Sequence, residues 1–171
     1  MKSWMKATAV LAGYIATIPV ANWLVAHVDP QPVGLGYVAP AGVYMVGLVL
    51  VLRDAVRETV GRPAVAVAIA AGAVLSFWLA TPALAFASAA AFALSETADS
   101  LVYEPLRKRG RLTAVAASNA VGLVADSLLF LWLAFGSFTY LPGQLLGKAW
   151  MTLAALAVIA VWRSRRKAVA A

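Results

Sequence analysis

The sequence predicts an all-α, polytopic membrane protein: one compact bundle of six transmembrane helices, with both termini in the cytoplasm. Three observations predict it. Of 171 residues, 63% are hydrophobic and only 12% charged, whereas a soluble domain carries about 25% charged residues to face water. The mean hydropathy is +0.86, and the apolar residues run in stretches near the ~20 that a hydrocarbon core requires. Lysine and arginine, finally, sit in clusters after alternate apolar stretches. The length suits a single integral membrane domain, 1–171.

In chain order, apolar spans are expected at about 6–26, 37–53, 63–80, 82–103, 112–136 and 142–162. The first lacks the small-residue cleavage site of a signal peptide and is long enough to remain as an anchor. The uncharged stretch from Pro63 to Leu94 is too long for one span. Thr81-Pro82 is its strong breaker, because proline opens helices and disfavours helix just before itself. Charge supports that split. Arg53, Arg57 and Arg62 follow span two; Arg107, Lys108, Arg109 and Arg111 follow span four; Arg163, Arg165, Arg166 and Lys167 follow span six; Lys2 and Lys6 precede span one. The other three loops contain no lysine or arginine. Six spans put every cationic cluster inside, as the positive-inside rule demands. Merging spans three and four strands two clusters outside. Alanine-rich faces, such as Ala12 with Ala16 or Gly72 with Ser76, suit close helix contact.

Composition also excludes several classes. No cysteine is present, which removes disulfide and thiolate chemistry. The net charge of +7 invites a nucleic-acid reading, but the basic clusters are short, flank spans and lack interleaved aromatics for base stacking. Anchoring against anionic headgroups of the lipid bilayer accounts for them. There is no nucleophile elbow, phosphate-binding glycine loop, HExxH or aspartate-rich magnesium motif. The expectation is therefore a non-enzyme without cofactor or metal, located in the cell (inner) membrane.

Functional information concentrates in polar residues inside apolar spans. Glu96 and Asp99 are three apart in span four; Asn119 and Asp126 are seven apart in span five; Lys148 lies one turn beyond Gln144 in span six. Each ionisable group near mid-bilayer costs a few kcal/mol, so such groups face the bundle interior and pair. Three carboxylates and one lysine do not neutralise one another completely, which leaves some carboxylates protonated through desolvation, or a polar ligand or cation completing the site. A purely interhelical network that locks the bundle is the plainer alternative. Phe77, Trp78, Phe92, Tyr103, Phe130 and Trp132 lie nearby as walls for a flat ligand, or as packing and interface anchors. A second cluster, Arg53, Asp54, Arg57 and Glu58, has helical contact spacing at the cytoplasmic end of span two. It reads as salt-bridged helix-end residues, or as a cytoplasmic gate or latch against the basic loop between spans four and five.

The ordered runs RDAVRETVGRP, FALSETADSLVYEPLRKR, SNAVGLVADSLLFLWLAF and QLLGK resemble the queuosine precursor transporter family, also called vitamin-uptake-like transporters. The resemblance covers about residues 50–150. It implies a six-span importer of a 7-deazaguanine base such as 7-cyano-7-deazaguanine, similar in architecture to the substrate-binding subunits of energy-coupling-factor vitamin transporters. By this resemblance Asp54, Glu58 and Gly61 match the acidic cytoplasmic motif, with Val60 in place of the usual aromatic. Glu96 and Asp99 match the span-four motif, Asn119 and Asp126 the span-five pair, and Gln144, Gly147 and Lys148 the span-six motif. The substrate-binding set implied is thus Glu96, Asp99, Asn119, Asp126, Gln144 and Lys148, in a polar pocket between spans four, five and six. Glu96 or Asp99 is expected to accept the N–H and amine of the guanine-like edge in parallel bonds.

Three functions remain open on the sequence: a deazapurine importer; a substrate-binding subunit for another vitamin or nucleobase, working with a separate ATPase module; and a scaffold or membrane enzyme. A homodimer and an energy-coupling partner are both compatible with the chain.

Overall fold

The computed structural model describes residues 3–108 and 110–170. Among them the chain forms six α-helices, α1 Ser3–His27, α2 Val46–Thr59, α3 Arg62–Leu79, α4 Pro82–Leu106, α5 Arg111–Phe135 and α6 Leu141–Ala170. A small antiparallel hairpin, β1 Gln31–Gly34 with β2 Tyr37–Ala39, and a 3-10 turn, Ala41–Met45, stand between α1 and α2. The protein is nearly all-α. Two helices, Trp4–His27 and Ala117–Phe135, are long and apolar enough to cross a membrane, and Pro63–Leu79 is a shorter apolar helix.

The break between α3 and α4 lies at the expected dipeptide. Thr81 is extended (φ −136°, ψ 151°), and its hydroxyl accepts the Leu84 N–H at 3.2 Å. Pro82 takes the first helical position, where its missing N–H costs nothing. Such a cap contributes about 1 kcal/mol. α5 stops because Gly136 turns left-handed, at φ 61°, a conformation that glycine adopts without a Cβ clash.

The second apolar segment departs from expectation. A continuous helix over 37–53 is not what forms: Tyr37–Ala39 is a strand, Ala41–Met45 is a 3-10 turn, and α-helix begins only at Val46. Hydropathy counts apolar side chains but not the backbone restrictions that interrupt them. Pro40 is held at φ −53°, ψ 136°, and Gly34, Leu35 and Gly36 carry φ of 101°, 53° and 78°, which close a hairpin instead of a helix. The remaining α2, with 14 residues, is ~21 Å long and shorter than a hydrocarbon core.

Small residues make up much of the interior, beside the larger Tyr14, Val56 and Leu131. Ala68, Ala87, Ala91, Ala114, Ser76 and Ser127 are fully buried, whereas Val67, Trp78, Phe86 and Leu101 point outward. A water-soluble protein buries its large apolar side chains first; close helix contact through small residues is the pattern of bundles in lipid. Gly72 of α3 lies against Ile18 of α1, so close that an added Cβ would overlap it. Ala12 and Ala16, by contrast, are exposed. One apolar cluster joins Tyr14, Val56, Val65 and Ala68; a second joins Val33, Ala39 and Val43 of the hairpin and turn, packed on Leu146 of α6. Gly143 and Gly147 make that docking possible. A side chain at Gly143 would strike the Val38 carbonyl, and one at Gly147 would meet Val43.

Candidate functional site

A cavity of about 160 Å³ lies among the helices, lined by residues of α1 to α6 and of the 3-10 turn. Most of the wall is apolar, with Tyr14, Phe92 and Phe130 as its rings. The polar residues on it are few: Asp126, Gln144 and Lys148 from α5 and α6, Asn22 from α1 and Ser88 from α4.

Lys148 is buried, with its side chain 8% exposed. Its Nζ donates to Asp126 Oδ2 and, at 2.9 Å, to Ser127 Oγ. Ser127 in turn donates to the Leu123 carbonyl at 2.8 Å, so its hydroxyl proton is spent within α5 and its lone pair is presented to the lysine. The pair satisfies two charges that lipid or a dry core would otherwise penalise. Gln144, one helical turn before Lys148, is 4% exposed and lines the same cavity. Among the described residues its side chain makes no hydrogen bond, although its backbone N–H donates to the Tyr140 carbonyl at 2.8 Å. A carboxamide that lines the cavity offers donors and an acceptor to a group that enters it.

A second cavity opens beside the first. Arg53 and Arg57 of α2, Val65, Ala66 and Ile69 of α3, and Phe92, Ala93 and Glu96 of α4 line it. Arg53 Nη1 donates to Glu96 Oε1 at 2.8 Å, with side-chain exposures of 22% and 43%. Ile69 and Phe92 line both cavities and form the apolar divide between them.

The residues singled out in the sequence are thus spread over several places. Asp126, Gln144 and Lys148 meet in the first cavity. Glu96 is drawn to Arg53 in the second cavity, because it looks towards α2 and α3. Asp99 lies against α5 at Gly122 and lines neither cavity; Asn119 is exposed, as are Arg57 and Glu58. The side chain of Asp54 lies outside the described residues. Three apart on a helix means 60° apart around it, and in α4 that angle separates the neighbour on α2 from the neighbour on α5. Of the aromatic residues, Phe92 and Phe130 reach the cavity, while Phe77, Trp78 and Trp132 are exposed. The first cavity also draws on α1 and the 3-10 turn, and so extends beyond spans four, five and six.

Sequence reading overlooked Asn22 and Ser88. Asn22 is 3% exposed; its Nδ2 donates to Ser76 Oγ at 2.9 Å, and its Oδ1 accepts from Ser88 Oγ at 2.6 Å. The signal was present as an amide within an apolar span, but a neutral residue without a charged neighbour draws no attention by charge counting.

The family model described as "putative vitamin uptake transporter" matches residues 76–163. No curated protein and no solved structure matches the chain significantly. The matched segment runs from the end of α3 into α6 and carries Glu96, Asp99, Asn119, Asp126, Gln144 and Lys148. It covers more than half of the sequence, and the chain therefore belongs to this vitamin uptake transporter family of membrane proteins, which includes queuosine precursor transporters.

Proposed function

We propose that the protein imports a queuosine precursor, a 7-deazaguanine base such as 7-cyano-7-deazaguanine, across the inner membrane as a six-span bundle with cytoplasmic termini. The observation that carries this reading is Gln144: a carboxamide that lines the cavity and makes no side-chain hydrogen bond among the described residues, beside the Lys148–Asp126 pair and with Phe92 and Phe130 on the same wall. A deazaguanine suits such a place. Its N–H and exocyclic amine donate side by side, which suits the Asp126 carboxylate. Its carbonyl accepts, which suits Gln144 and Lys148. Its flat ring fills an aromatic and apolar slot. Glu96 serves in this reading as half of an inner latch with Arg53 across the second cavity, and passage between the cavities requires Ile69 and Phe92 to part. Asp99 lies against α5 and Asn119 is exposed, so this reading assigns neither to the ligand.

The test is uptake rescue. Cells unable to make queuosine, expressing the protein and supplied with 7-cyano-7-deazaguanine at low concentration, should accumulate modified tRNA. The Gln144→Ala variant, present in the membrane at the same level, should require roughly tenfold more base, the worth of about one hydrogen bond at a desolvated site. Absence of modified tRNA with the unaltered protein sinks the reading.

A further inference from the structure

We propose that Asn22 is a ligand-contacting, specificity-determining residue, and that with Ser88 it forms a second polar station in the first cavity that reads a ring N–H beside a ring acceptor nitrogen. The inference rests on the importer reading and deepens it.

The hydrogen bonds around Asn22 settle which way its amide faces. Ser76 Oγ donates to the Gly72 carbonyl at 2.8 Å. A hydroxyl has one proton, so towards Asn22 the Ser76 oxygen only accepts, and the amide nitrogen must face it, at 2.9 Å. Ser88 then gives its proton to Asn22 Oδ1 at 2.6 Å. A carboxamide offers two N–H donors and two acceptor lone pairs. One of each is used, and one of each remains on a side chain that lines the cavity and is held from α3 and α4 at once. Ser88, its proton committed, adds only lone pairs.

This station is neutral and pre-oriented, and it stands on helices other than those that carry Asp126, Gln144 and Lys148. A remaining N–H beside a remaining C=O lone pair is the complement of a donor next to an acceptor. On a deazaguanine that edge is the pyrrole N–H with the adjacent pyrimidine nitrogen, away from the N–H and carbonyl assigned to α5 and α6. Two stations on separate walls fix both the position and the rotation of a flat base. They also reject a base whose pyrrole nitrogen carries a sugar or an alkyl group, because the substituent leaves Asn22 unpaired.

The experiment measures affinity in the purified, full-length protein for 7-cyano-7-deazaguanine and for its analogue methylated on the pyrrole nitrogen. The unaltered protein should prefer the parent base about tenfold. The Asn22→Ala variant should bind the two alike, because the group that senses methylation is gone. A merely structural role lowers both affinities together and keeps their ratio, so an unchanged ratio overturns the assignment. If Asn22→Ala does not fold, Ser88→Cys replaces it: the chain has no other cysteine, and the parent base should block its modification by N-ethylmaleimide at least tenfold better than the methylated analogue. Equal protection, or none, overturns the assignment. An unaltered protein that binds no 7-cyano-7-deazaguanine overturns the importer reading itself and this inference with it, whereas binding with an unaltered ratio overturns the role of Asn22 alone.

Discussion

Lys148 and Asp126 show what a charge inside an apolar helix is constrained to do. Each needs the other: removing one partner leaves a charge uncompensated, at a cost below the roughly 3–5 kcal/mol of a fully buried pair because the Asp126 side chain is 32% exposed, whereas replacing both by apolar residues of similar size is often neutral. Lys148→Met alone should therefore lower the melting temperature of the purified protein markedly. The double change Lys148→Met with Asp126→Leu should recover most of that loss while binding no deazaguanine. Thermal unfolding together with ligand binding checks both halves, and a double variant that binds normally contradicts a recognition role for the pair. These two residues were legible in the sequence because an ionisable group in an apolar span has few places to go. Glu96 was legible as a charge within an apolar span but not as the partner of Arg53, because a separation of 43 positions conceals which helices adjoin. Asn22 was illegible for another reason: its importance comes from two serines on two other helices, which spacing along one helix cannot report.

At the scale of elements, the local backbone decides what hydropathy leaves open. The division of Pro63–Leu94 into α3 and α4 was readable because Thr81-Pro82 carries both a cap and a stop. The hairpin was not, since Val33, Leu35, Tyr37 and Val38 are as apolar as a span, and only the prolines and glycines among them mark the turn. The hairpin and 3-10 turn matter to the site because Pro40, Gly42 and Val43 form part of the cavity wall. Their position depends on the bare surface of α6 at Gly143. Gly143→Val should push Val38 outward at a cost of about 1–3 kcal/mol, the usual toll of overpacking, and weaken binding of 7-cyano-7-deazaguanine. Gly13→Ala is the control: its added carbon would meet Leu52 at an ordinary 3.7 Å, and binding should be unchanged. Equal affinities for the two variants, read by titration, would separate the hairpin from the site.

For the whole molecule, small residues inside and large apolar residues outside give a bundle whose surroundings must be apolar, which agrees with the family to which it belongs. The direction in which it lies follows from charge. Short loops rich in lysine and arginine remain in the cytoplasm, so the six-span reading places the α2–α3 and α4–α5 connections inside, and the hairpin, the α3–α4 break and the α5–α6 loop outside. The hairpin tip supplies a clear probe: Leu35 is 81% exposed. Because the chain has no cysteine, single replacements report sidedness without background. Leu35→Cys, Thr81→Cys and Ser137→Cys should react in intact spheroplasts with a membrane-impermeant thiol reagent. Val60→Cys and Lys108→Cys should react only once the membrane is opened. Thr81 is the decisive position, since a chain that crossed once through α3 and α4 together would bury it at mid-membrane and carry the α4–α5 cluster, with Arg107 and Lys108, to the outer face. Labelling at Lys108→Cys in intact spheroplasts, with Thr81→Cys silent, would replace six crossings by five and invert every loop after α3.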